Sequence, residues 1–292
     1  MEAATQIAQT THSLEVPGAV LTYDVRENAS STQPTLLMIG SPMGAAGFGT
    51  LAGFFTDRTV VTYDPRGVER SEKADPTTES TPDQHADDLH RIIAKLDGRP
   101  VDVFASSGGA INAFALVSEH PADVRTLVAH EPPAAQVLPD RCEALAAVVE
   151  MHQAYERDGF GHAMAKFIAV VSHQGTIPAD FGEQPVDPAM FGLPPEDDGS
   201  REDPLFAQNL LTCTHYQPDF DALSKTSARV VIAAGVESEG TLASRAAYGV
   251  AERLGTTPHM FPSDHGGFLG GEYGQTGKPE EFARVLRQLL SC

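Results

Sequence analysis

Ser107 stands in the run Ala105-Ser106-Ser107-Gly108-Gly109, which joins a short apolar segment, Val101 to Phe104, to apolar residues at helical spacing, Ala110, Ile111, Ala113, Phe114 and Leu116. That order reads as strand, tight turn and helix. A hydroxyl on such a turn projects above the strand ends, and small neighbours permit the strained backbone it needs. To act as a nucleophile, a serine needs a base to take its proton and an acid to orient and charge-stabilise that base. Eleven histidines are present, and His265 is set apart by its place in Ser263-Asp264-His265-Gly266-Gly267, after the last strand-like run. Glu237, just past Arg229–Gly235, and Glu131, just past Val124–Ala129, are carboxylates at strand ends. Asp264 adjoins His265, where a bond onto the neighbouring ring is awkward, and it reads as a turn former.

These residues are brought together only if the runs between them form one sheet. His12 to Val16 and Ala19 to Val25, split by Pro17-Gly18, read as a hairpin, and Thr35 to Ile39 as a strand buried on both faces. Thr59 to Tyr63, Val101 to Phe104, Val124 to Ala129, Arg229 to Gly235 and Pro258 to Pro262 supply further strands. Thr81-Pro82-Asp83-Gln84 announces a helix with an N-cap, a first-turn proline and a capping-box glutamine, and that helix is expected to stop at Gly98. Helices are also expected after the turn at Ser107, over Thr241–Leu254 and over Pro279–Leu290. Alternating strands and helices give the α/β class, with a mainly parallel sheet flanked by helices on both faces. Loops after successive parallel strands share one edge, so Ser107 and His265 can meet across more than half the chain.

Composition narrows the function classes. The 292 residues, 41% hydrophobic, suit one large core carrying an insertion. Twenty Lys and Arg against forty Asp and Glu leave a net charge of −20, which repels phosphate backbones and anionic headgroups, so neither nucleic acid nor a membrane is expected as partner. No apolar run reaches membrane-spanning length, and Met1 to Glu15 lacks a signal-peptide core. Cys142, Cys213 and Cys292 are odd in number and far apart, which points to a reducing cytoplasm. His152, His162, His173 and His215 show no metal-ligand spacing, so no metal is expected. The glycine-rich loop Gly40–Gly47 lacks both phosphate-binding patterns and any lysine, which removes the nucleotide reading.

Ala105-x-Ser107-x-Gly109 resembles the nucleophile elbow of the α/β-hydrolase superfamily, with Ala105 for the usual first glycine. Asp64-Pro65-Arg66-Gly67-Val68-Glu69-Arg70-Ser71 resembles the same family's turn, with Glu69 where glycine is usual, and is expected to be structural. The order serine, acid, histidine also matches. The resemblance implies a cofactor-free serine hydrolase. It has a core over residues 1–133 and 224–292 and a helical cap over 134–223. Ser107 would be the nucleophile, His265 the base and Glu237 the acid, with Glu131 as the alternative acid. The family's oxyanion donors map to the Gly108 N–H and one from Ser41 or Met43, Met43 being favoured because Pro42 has no N–H. The expected substrate is an ester or lactone of an apolar small molecule, with a homodimer left open. Rival readings are an aminopeptidase gripping an amine with Glu143, Glu150 and Glu156, a carbon–carbon-cleaving or cyclase-like enzyme, and a non-catalytic receptor marked by the departures at Ile39, Ala105 and Glu237.

Overall fold

The computed structural model describes residues 8–96 and 99–291; the expected helix stop at Gly98 and the thiol of Cys292 lie outside them. The hairpin forms as β1 (Gln9–Val16) and β2 (Ala19–Arg26), and β3 (Leu36–Ile39), β4 (Val60–Asp64), the short β5 (Glu72–Lys73) and β6 (Val101–Ser106) follow. After them come β7 (Val124–His130), β8 (Arg229–Gly235) and β9 (His259–Phe261). One sheet runs β1-β2-β4-β3-β6-β7-β8-β9, with β5 on β2. From β4 to β9 along that order every pairing is parallel, while β1, β2 and β5 are antiparallel additions at one side.

The helices are α1 (Gly49–Gly53), α2 (Pro82–Lys95), α3 (Gly108–Glu119), α4 (Arg141–Asp158), α5 (Phe160–Ser172), α6 (Leu210–His215), α7 (Phe220–Lys225), α8 (Leu242–Arg253) and α9 (Pro279–Leu290). Helices α4 to α7 all fall between β7 and β8. α2 starts as its sequence dictates: Gln84 N–H donates to Thr81 Oγ1 at 3.2 Å, and Thr81 N–H donates to Gln84 Oε1 at 3.0 Å. Pro82 costs nothing at the first helical position, where no N–H is required.

Alternation along the inner strands sorts side chains between two cores. Leu37, Ile39, Val103 and Ala105 pack with Ile111 and Phe114 of α3, whereas Leu36, Met38 and Phe104 pack with Phe48, Phe268 and Phe282. Each such buried Phe or Leu contributes about 1.5–3 kcal/mol by leaving water. Both faces of β3 and β6 are therefore covered, which fixes their register and leaves only their C-terminal ends free to present chemistry.

Candidate active site

Ser107 follows β6 with φ +57° and ψ −130°, outside the ordinary left-handed well, a conformation that costs about 1–3 kcal/mol and persists only where its surroundings impose it. Two contacts impose it. The Ser107 N–H donates to His130 O at 3.0 Å, extending the ladder to β7, and α3 begins one residue later. A Cβ on Gly108 would stand 2.5 Å from Ser41 O, so the turn presses directly on the loop after β3, and only glycine allows it.

His265 reaches the site through the loop after β9. Its Nδ1–H donates to Glu131 Oε2 at 2.6 Å, and Glu131 Oε1 accepts from the Gly235 N–H at 2.8 Å. Gly235 has no room for a side chain, since a Cβ there would lie 2.6 Å from Ser263 O. That close approach brings the histidine loop across β8 to the end of β7. Glu131 is fully buried and, like Ser107, has positive φ, +48°. Burial alone would raise its pKa, but the His265 bond, the charges of His130 and His265, and the Gly235 N–H together hold it at about 2. The carboxylate stays ionised. With Nδ1 engaged, Nε2 is the nitrogen that His265 has to offer Ser107 Oγ; no hydrogen bond joins the two among the described residues, and the ring is about half exposed. Such contacts often tighten only when substrate arrives.

Glu237, the acid expected from the sequence, is not at His265. Its carboxylate bonds Lys278 Nζ and accepts from Ser263 Oγ at 3.4 Å, at the surface, with its side chain about half exposed. The reason is local. The Val236 and Glu237 N–H groups donate to Phe261 O and Ser263 O, so the loop after β8 is tied flat along β9 and its side chain turns outward. Glu131 stands at His265 instead. The departure visible in the sequence was Glu237 itself, a glutamate two residues past the strand glycine where an aspartate three past is usual. Asp264 is the turn former expected, its Oδ1 accepting from Gly266 N–H at 3.0 Å.

The loop after β3 carries both of the oxyanion candidates named from the sequence, Ser41 and Met43. Met43 packs its side chain against Gly40 and Gly47, and Ser41 lies against Gly108. Ser41 is buried and anchored from the insertion: its Oγ–H donates to Asn209 Oδ1 at 3.1 Å, and the same oxygen accepts from His85 Nε2–H at 3.0 Å. Asn209 ends a π-helical turn, Pro204–Asn209, of a kind that recurs at functional sites. Burial and the Arg66 charge, opposed by the Asn209 bond, push His85 down to about 4, so it is a neutral donor. No sequence pattern announces this link, which spans three separate elements. Burial pushes the Cys213 thiol, beside Gly108, up to about 12, which removes it as a rival nucleophile.

The Asp64–Arg66 turn is structural, with partners the sequence did not name. Asp64 accepts from Ala45 N–H at 2.8 Å and from Arg70 Nε–H at 2.6 Å, and Arg66 forms a buried bidentate pair with Asp88 of α2 at 2.7 and 2.8 Å. Glu69 takes φ +48°, the conformation for which the usual glycine is suited. In α4, Glu150 is already paired with Arg157 and Lys166, so it is not free to grip an amine.

A family model described as the alpha/beta hydrolase fold matches residues 48–173, which include the turn at Asp64, the elbow and Glu131. The chain has the α/β-hydrolase fold. This hydrolase-fold chain is 38% identical over 128 residues to an uncharacterized hydrolase, YraK, of Bacillus subtilis (strain 168), an alignment covering 43% of the chain and 46% of that relative. It thus spans about half the length of the curated relative it matches. Among solved structures it resembles Est816, described as an N-acyl homoserine lactone degrading enzyme (TM-score 0.62, 21% identity, 95% of this chain and 99% of that one). It also resembles the N-acyl homoserine lactonase AidH (0.61, 16%, 97% and 96%) and the enol-lactonase from Burkholderia xenovorans LB400 (0.64, 15%, 96% and 100%). At these identities the likeness is one of fold. Among the described residues, no helix is long and apolar enough to cross a membrane.

The depressed pKa of Glu131 has a sign that can be measured. A carboxyl held at about 2 when folded, against 4.5 ordinarily, adds stability above pH 4.5 that is lost as pH falls toward 2. Urea unfolding of wild type and Glu131→Gln is expected to show a stability gap that narrows over that window. A gap that stays constant as the pH is lowered through that window would mean that Glu131 is not held ionised by His265.

Proposed function

We propose that this chain is a serine hydrolase that cleaves an ester or lactone of an apolar small molecule with the set Ser107, His265 and Glu131. The observation that carries the proposal is the 2.6 Å bond from His265 Nδ1 to buried, ionised Glu131 at the sheet edge where the strained Ser107 turn opens. In this reading Ser107 Oγ attacks the carbonyl carbon while His265 Nε2 takes its proton, and Glu131 stabilises the imidazolium. The oxyanion is held by the Gly108 N–H and by the Ser41 loop that presses against it. His265 then returns the proton to the leaving alkoxide, and water, activated by the same ring, releases the acid. Residues 134–223 serve as the cap, with α6 and the Pro204–Asn209 turn as the part that meets the elbow. The unpaired thiols Cys142 and Cys213 support a cytoplasmic setting.

Lactones are put forward because three proteins of matching fold are described as lactone-degrading enzymes, and because Ala134, Ala135 and Leu138, at the start of the insertion, are buried and apolar. The test is a panel of p-nitrophenyl esters, N-acyl homoserine lactones, enol lactones and aminoacyl anilides assayed with the purified chain. Turnover of esters or lactones with kcat/KM at least about a hundredfold above the anilides is expected. Preference for the anilides would replace this reading with the aminopeptidase one.

A further inference from the structure

The opposite end of α3 from Ser107 carries a second constellation that the hydrolase reading does not use. His120 caps the C-terminus of α3, Asp123 follows in the turn that leads into β7, and His90 projects from α2. The backbone of that turn is fixed at both ends: the Asp123 N–H donates to His120 O at 3.0 Å, and Asp123 O accepts from Val101 N–H at 2.8 Å. Into this frame the three side chains converge. His90 Nδ1 lies 2.6 Å from Asp123 Oδ2, and the rings of His90 and His120 stack at 3.9 Å between centroids with 8° between planes. One donor atom from each residue lies within 4.8 Å of the others.

We propose that His90, His120 and Asp123 form a binding site for a divalent transition-metal ion of the zinc type. Two imidazole nitrogens and one carboxylate oxygen are the donor set that borderline ions such as Zn²⁺, Ni²⁺ and Cu²⁺ favour, whereas Mg²⁺ and Ca²⁺ require mostly oxygen. Three protein donors leave a fourth position for water. Glu119, next to His120 in the chain, has Asp83 and Asp87 nearby, and these acidic charges add attraction for a cation. Binding replaces the hydrogen bond between His90 and Asp123 and draws the His120 ring out of its stack, so that its nitrogen points at the ion. The proton between His90 Nδ1 and Asp123 Oδ2 moves to Nε2 when the ring is neutral and to solvent when the ring is doubly protonated.

The topology gives the site its consequence. His120 and Asp123 sit at the N-terminal end of β7, the edge opposite Glu131, and the 12 residues of α3 separate them from Ser107 by about 18 Å. An ion there ties the far end of the elbow helix to α2 and to the start of β7 without touching the reacting atoms.

The experiment is calorimetric titration of the full chain, first freed of metal by a chelator and dialysis, with ZnCl₂ near neutral pH, together with thermal melts. One ion per chain is expected, with a raised melting temperature. His90→Ala, His120→Ala and Asp123→Asn are each expected to weaken binding at least about tenfold while keeping the metal-free melting temperature within a few degrees. The exposed His259→Ala variant is expected to bind as the wild type does. Co²⁺ substitution with a visible absorption band that vanishes in His120→Ala supports the same ligands. No stoichiometric binding, or equal loss on replacing His259, overturns the site and reduces any uptake to scattered surface histidines.

Discussion

Ser107→Ala is expected to lower kcat by roughly 10⁴–10⁶ and to abolish labelling by a fluorophosphonate, while the protein melts within a few degrees of the wild type. The two halves of this expectation rest on different physics. The chemical loss follows because the other candidates at the turn are buried: Cys213, beside Gly108, has its thiol pushed up to about 12, and Ser106 is buried with its Oγ turned to His130 Nδ1 at 3.4 Å. The structural tolerance follows because alanine keeps the Cβ and loses only an oxygen that makes no hydrogen bond among the described residues. The strained φ of +57° is imposed by the His130 and Ser41 contacts, which the substitution leaves alone. Full activity in the variant, measured on whichever ester or lactone the panel identifies, would remove Ser107 from the mechanism. Collapse of the fold would instead place the hydroxyl in the structure. Undiminished labelling would assign the nucleophile elsewhere.

What the sequence could and could not convey follows from the range over which each feature is determined. The capping box of α2, the bounds of α9 and the placement of the elbow are local: a few adjacent residues set hydrogen bonds or periodicity, and the structure reproduces them. The two cores follow from period-two alternation on strands covered on both faces, which is also a short-range signal. Which carboxylate meets His265 is not local. It depends on how the loop after β8 lies along β9, and that is set by the Val236 and Glu237 N–H groups bonding to Phe261 and Ser263. The distance from the strand end in sequence was the same kind of cue for both glutamates and carried nothing about side-chain direction. Likewise, the anchoring of Ser41 by Asn209 joins residues far apart in the chain, one of them in the insertion.

The second large effect separates the two glutamates. Glu131→Gln preserves shape but replaces the acceptor of the His265 Nδ1–H with a neutral amide, which favours the wrong tautomer and gives no charge to stabilise the imidazolium. In serine proteases the corresponding loss of the triad carboxylate's charge costs about 10⁴ in kcat. Glu131 is fully buried and held at about 2, so the lost charge is one that acts at low local dielectric and at every assay pH above that value. Glu237→Gln removes a half-exposed ion pair with Lys278, which solvent screens and whose atoms do not touch the ring. We therefore expect Glu131→Gln to lower kcat by about 10³–10⁴ and Glu237→Gln by about tenfold or less, a difference of at least about 3 kcal/mol in transition-state stabilisation. Because the oxyanion groups are untouched, KM should change little in either variant. The decisive comparison is kcat with both proteins shown folded by near-ultraviolet circular dichroism. A larger loss in Glu237→Gln would require the loop after β8 to turn inward during catalysis, carrying the carboxylate away from Lys278 and displacing Glu131 from His265.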